Sequence, residues 1–208
     1  MVGCGLLAPV NWWFEQPKIF IYKIIPVALS FGFLGCFTAL WILPMSSQAV
    51  DVIFGIFCLV LVMYVIHGLF HEMVDQDEPI RMTKASVVAY AAASFVGGLI
   101  TGWIGIGIEK VLFMMLTSYD RCNINRACIT SISIVGWISM FAFFVHLLIL
   151  QDIPMMIWLC GLGGVHVGAM VGPELNKLIG PRNVMIIFVV FLIIDVFYKF
   201  YTVTHLQG

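Results

Sequence analysis

The sequence predicts an all-α membrane protein of about six transmembrane helices, with a broken or re-entrant glycine-rich helix and a partial internal repeat. Three observations predict it. Of the 208 residues, 62% are hydrophobic and 10% are charged, where soluble chains carry roughly 25% charge, and the mean hydropathy is +1.08. Apolar stretches of about 20 residues, the length that crosses a hydrocarbon core, recur between short polar turns. In mid-chain, a run of glycines leads straight into an acid and a lysine. Because backbone groups in lipid must be satisfied within their own helix, a helical bundle follows.

The elements read in order. Residues 1–23 form an N-terminal interfacial segment: Trp12, Trp13 and Phe14 stand beside Glu15 and Lys18, a composition that rests at headgroup level. They lack the charged start, apolar middle and cleavage site of a signal peptide. Six spans follow, at 24–43, 50–70, 86–107, 127–149, 154–172 and 183–203. Turn chemistry separates them, at Pro44–Ser47, in an acidic polar loop over 73–85, at Ser118–Arg126, at Gln151–Pro154 and between Gly172 and Pro181. A short apolar piece at 108–118 suits a half-helix.

Two parts of the chain look alike. Phe31-Gly32-Phe33-Leu34-Gly35 leads through a polar break to an apolar helix from Val50. Gly164-Val165-His166-Val167-Gly168 leads through Gly180-Pro181-Arg182-Asn183 to another from Val184, about 133 residues later. Residues 24–72 then read as the latter half of a first repeat, with two spans. Residues 86–208 read as a second repeat, with four spans and the half-helix 108–118. Transporters built from such repeats place their substrate site between them. Orientation does not emerge from six simple spans. Lys and Arg at one side (18, 23, 81, 84, 199) equal those at the other (110, 121, 126, 177, 182), five against five.

Several function classes are excluded. A formal net charge of −1, with no basic stripe, argues against a nucleic-acid partner. The six cysteines (4, 36, 58, 122, 128, 160) contain no CxxC pair and read as buried small hydrophobes rather than disulfides or metal ligands. No nucleophile motif, phosphate loop or metal-spaced His/Glu pair is present. An enzyme, a metal site and a cofactor are not expected.

The residues able to carry chemistry cluster in Gly97-Gly98-Leu99-Ile100-Thr101-Gly102-Trp103-Ile104-Gly105-Ile106-Gly107-Ile108-Glu109-Lys110. Ser94, Gly98 and Gly102, at spacing four, suit close approach by another helix. Gly105 and Gly107 weaken helix continuity just before Glu109 and Lys110. In one reading the helix breaks within the membrane and bares a positive N-terminal end suited to an anion. In the other it ends at Gly107, with Glu109 and Lys110 at the water boundary. Arg126 stands at the start of the next span, and Thr130 and Ser131 put hydroxyls one turn inside, where such groups often bond back to their own helix. Gly161, Gly164, Gly168 and Gly172 form a second expected close-packing face around His166. Intramembrane charge is functional by default, so Glu109, His166 and Asp195 are candidates for proton coupling.

Taken together, Gly98-x3-Gly102-x2-Gly105-Ile106-Gly107, then Arg126-Ala127-x2-Thr130-Ser131, the glycine helix 161–172 and the turn at Gly180–Asn183 resemble the TauE/SafE family of sulfite-exporter-like transporters. The resemblance covers roughly 24–203. It implies movement of sulfite, sulfonates or related small organic anions, with Gly102, Gly105, Gly107, Arg126, Thr130 and Ser131 lining or shaping the path. This sequence departs from the family pattern in two ways. Its glycine triplet reads Gly107-Ile108-Glu109, placing an acid in the anion cradle. Its span count implies a truncated member lacking the first glycine-rich helix pair.

The sequence reading is therefore a multi-pass transporter of small anions working by alternating access at a broken helix. Gly105, Gly107, Glu109, Lys110, Arg126, Thr130 and Ser131 are the expected substrate-binding residues. The alternative is a transporter-derived structural or accessory subunit of a larger membrane complex. Expected partners are the lipid bilayer, a small anion, and another copy or a partner membrane subunit supplying the missing half-repeat. The expected location is a plasma membrane or an organelle inner membrane.

Overall fold

A computed structural model describes residues 20–70, 82–105 and 107–150, together with single positions at 14 and between 156 and 201. The chain divides into two compact units, one of Met1–Pro44 with Val74–Val171 and one of Met45–Met73 with Gly172–Gly208.

The first unit contains α1 (Ile25–Phe37), extended by a π-helical turn over Thr38–Ile42, then α3 (Lys84–Ile104), α4 (Ile108–Ser118) and α5 (Ile124–Val145), itself extended by a π turn over His146–Leu150. The second unit contains α2 (Ser47–Phe70), whose start is capped by Ser46 Oγ accepting the Ala49 N–H at 3.4 Å. Cys58, Leu61, Val62 and Val65 form its buried face. Among the described residues, four helices are long and apolar enough to cross a membrane: Ile25–Ile42, Gln48–His67, Lys84–Ile104 and Arg126–Ile149. They coincide with the first four expected spans within a few residues. Of the spans expected at 154–172 and 183–203 only scattered positions are described; His166, Asp195, most of the N-terminal segment and most of the acidic loop lie outside the described residues.

Where α1 meets α3, the first unit buries mostly small residues, and α1 turns its large ones outward. On α1 the buried positions are Ala28, Gly32, Gly35 and Cys36, followed by Ala39 in the π turn. Phe31, Leu34, Phe37, Trp41 and Ile42 point outward. On α3 the buried positions are Ser86, Tyr90, Ser94, Gly97, Gly98 and Thr101. This inversion suits lipid. Tails solvate leucine as well as a protein core does, so helices associate through close backbone packing instead. A Cβ on Gly98 would overlap the Gly32 carbonyl oxygen, and one on Gly35 would overlap that of Phe95. A Cβ on Gly102 would stand 2.6 Å from the Ala39 Cβ. The spacing-four face of α3 is thus filled by the backbone of α1. Around the second expected glycine face, at Gly161, Gly164 and Gly168, most neighbouring positions lie outside the described residues.

These contacts fix the direction of each helix. Gly98 meets Gly32, Gly102 meets Cys36 and Ala39, and Trp103 Nε1 donates to the Leu43 carbonyl oxygen at 2.9 Å. Numbers rise together, so α1 and α3 are parallel. Likewise the Ile21 N–H meets Thr130, Gly32 meets Ile138, and the Phe33 ring packs edge-on to Phe141 at 5.0 Å, so α5 is parallel to both. The short α4 runs the other way. Its start packs on Gly97 and Gly32 through Ile108. Just beyond its end, Asp120 accepts a hydrogen bond from the Tyr90 hydroxyl, lower on α3. Ile108, Leu112 and Leu116, at spacing four, are fully buried and hold α4 in the bundle.

Candidate functional site

The break between α3 and α4 is built from two glycines and one threonine. Helix α3 stops because Gly105 adopts φ 86°, in the left-handed region that glycine enters without a Cβ penalty. Its N–H still closes the last turn on the Thr101 carbonyl at 2.8 Å. Two residues later Gly107 caps α4, packed so tightly that a Cβ would stand 2.5 Å from Ile100 Cγ2. Ile108 returns beside Gly97 and Thr101 rather than beyond Ile104. The start of α4 therefore lies about 5–10 Å back inside the depth of α3, at 1.5 Å of rise per residue. The helix is thus interrupted at Gly105–Gly107 and restarts at Ile108, alongside α3.

The start of a helix leaves N–H groups without acceptors, and here the chain supplies its own oxygens. Thr101 Oγ1 accepts the Ile108 N–H at 2.9 Å while donating to the Gly97 carbonyl at 2.8 Å. Glu109 folds back so that Oε2 accepts the Gly107 N–H at 3.0 Å. Its other oxygen, Oε1, accepts from Lys110 Nζ at 2.5 Å. The two side chains are only 14% and 17% exposed. A carboxylate thus occupies the positive end of the helix dipole, where an anion is favoured, and a lysine neutralises it. Gly107, Glu109 and Lys110 are joined by these contacts, next to Gly105.

Arg126, Thr130 and Ser131 do not join them. Ile138 stands level with Ile108, since both meet Gly32. Arg126 lies twelve residues earlier on α5, about 18 Å away along the helix axis. Its N–H bonds to Asn123 Oδ1 at 3.3 Å. Thr130 is fully buried and accepts the Ile21 N–H at 3.2 Å, which leaves its hydroxyl proton free to donate among the described residues. Ser131 has already given its proton, to the Cys128 carbonyl at 3.0 Å. A serine or threonine hydroxyl has a single proton, so of these two only Thr130 keeps a donor for an anion. The residues singled out from sequence therefore fall into two groups at opposite ends of α4.

Two contributors were missed from sequence. Thr101 sits in the glycine run, but its role as a cap seven residues downstream has no local signature. The Tyr90–Asp120 contact joins residues 30 apart and has none either. Among the described residues, no three His, Cys, Asp or Glu side chains are grouped as a metal site.

Membrane-length helices with apolar exteriors, and a helix interrupted at Gly105–Gly107 just before two charged residues, define an all-α integral membrane protein. The family model described as sulfite exporter TauE/SafE matches residues 6–197. The chain belongs to that family, whose members are transporters rather than enzymes. No curated protein and no solved structure matches the chain.

Proposed function

We propose that this chain carries a small anion, sulfite, a sulfonate or a related organic anion, across the membrane by alternating access at the break between α3 and α4. The observation that carries the reading is the N-terminus of α4. It lies inside the depth of the bundle and holds a carboxylate, so the position already accommodates an anionic group. A substrate anion would take that place when Glu109 swings aside, drawing on Lys110 for charge and on the Gly107 N–H for direction. Arg126 and Thr130, at the other end of α4, would form the second station. The family assignment supports the same substrate class.

The test is anion flux in liposomes containing the purified chain, with sulfite, thiosulfate and taurine-like sulfonates, beside Glu109→Gln. Flux that saturates and changes in the variant is the expected result. No flux of any of these anions from well-folded protein would overturn the reading and favour an accessory subunit of a larger complex.

A further inference from the structure

We propose that the lower end of the first unit, where α1, α3 and α5 begin, is its cytoplasmic face, anchored by basic side chains against the anionic headgroups of the inner leaflet. Counted over six simple spans, the basic residues balance. That count treats α3 and α5 as antiparallel neighbours, and they are not. The chain passes up α3 and returns through the break and α4, so α5 starts at the same end as α3. Arg121 and Arg126 thereby move to the side of Lys23 and Lys84. Among the described residues of this unit, four basic side chains, Lys23, Lys84, Arg121 and Arg126, mark the lower end. Lys110 alone belongs to the upper half.

The two sets also differ in environment. Lys23, Lys84 and Arg121 are exposed and Arg126 is half-buried, whereas Lys110 is largely covered and paired to Glu109. Exposed basic residues near helix ends are held back on the cytoplasmic side during insertion and then meet its anionic lipids. A lysine spent on an internal ion pair contributes little to either effect. Acidic groups such as Asp120, engaged by Tyr90, weigh little in this rule.

The orientation has a consequence for the path. The break at Gly105–Gly107 is in the upper half, so the acid-capped start of α4 lies nearer the far side of the membrane and the Arg126–Thr130 station nearer the cytoplasm. An anion leaving the cell would meet Arg126 first and the Glu109 position last. This step rests on the transport reading above, but the orientation does not.

The experiment is thiol labelling of the full chain in native membranes with a membrane-impermeant maleimide, scored above the wild-type background. Tyr119→Cys and Ala85→Cys report the lower end, both at exposed positions. Pro44→Cys, exposed beside Leu43 and hence beside Trp103, reports the upper end. The expected result is labelling of Pro44→Cys from outside intact cells. Tyr119→Cys and Ala85→Cys should label only in inverted vesicles, with about a tenfold contrast between preparations. Reversed labelling, or equal labelling of both ends from one side, overturns the orientation. In a Lys23→Gln/Lys84→Gln/Arg121→Gln background, Pro44→Cys should become reactive from both sides. A background that keeps a single orientation overturns the role given to the basic residues. Labelling needs no transport, so its outcome and that of the flux assay stand apart.

Discussion

Thr101 Oγ1 accepts the Ile108 N–H at 2.9 Å across the interruption between α3 and α4, and gives its own proton to the Gly97 carbonyl. One side chain, 3% exposed, closes both sides of the break. Thr101→Val keeps the shape and removes both bonds, leaving the fully buried Ile108 N–H without its acceptor. The expected cost is about 1–3 kcal/mol, seen as a lower apparent Tm of the detergent-solubilised protein. Thr101→Ser should restore most of it. Equal melting of the valine and serine variants would show that the hydroxyl does not hold the break.

Gly98 and Gly105 are needed for different reasons, and substitution separates them. At Gly98 an added Cβ meets the carbonyl of Gly32, and backbone cannot turn aside as a side chain can. Gly98→Ser should push α1 from α3 and cost about 1–3 kcal/mol. At Gly105 nothing among the described residues stands within 4 Å, and φ 86° is what matters. Asparagine tolerates that region better than other residues with a side chain, so Gly105→Asn should melt close to wild type and Gly105→Val well below it. Size-exclusion profiles after a heating series would resolve the four proteins.

How much of this was legible in the sequence follows from which forces are local. Span positions were readable because length and apolarity are set residue by residue, and α3 differs from its expected 86–107 because Thr83 caps it two residues earlier and Gly105 ends it at Ile104. The break itself was readable from Gly105 and Gly107 followed by charge, and the close approach of α1 from the small residues Ser94, Gly98 and Gly102. The division of the site was not. Arg126 and Glu109 are 17 positions apart, and only the reversal of α4, fixed by contacts of Ile108 with Gly32 and Gly97, separates them. Orientation failed for the same reason, since an 11-residue helix is too short to score as a crossing on apolar length alone.

Thr130 and Ser131 are adjacent hydroxyls with unequal duties. Thr130 ties α5 to the start of α1 through the buried Ile21 N–H, whereas Ser131 bonds within its own helix. Ser131→Ala should leave folding and anion KM nearly unchanged, within about 0.5 kcal/mol of wild type. Thr130→Val strands the Ile21 N–H at a cost of about 1–3 kcal/mol and removes the donor at the lower station. Thr130→Ser retains both. A flux assay on folded fractions would find the reverse order of KM effects if Ser131 were the substrate contact.

Glu109 is the residue on which the transport reading turns, because its carboxylate stands where the substrate anion would stand. Glu109→Gln keeps an acceptor for the Gly107 N–H through its amide oxygen, so α4 should stay capped and the protein folded. What it removes is the charge facing Lys110. A largely covered lysine without its counter-ion is unfavourable, and an incoming anion relieves it. The KM for the transported anion should therefore fall by about tenfold, the equivalent of ~1.4 kcal/mol, while release slows and the maximal rate drops. Gly107→Leu, which drives a side chain into Ile100, should abolish flux instead of tuning it. Saturation curves in liposomes decide the matter: an unchanged KM in Glu109→Gln would remove Glu109 from the path of the anion, whatever the fate of the leucine variant.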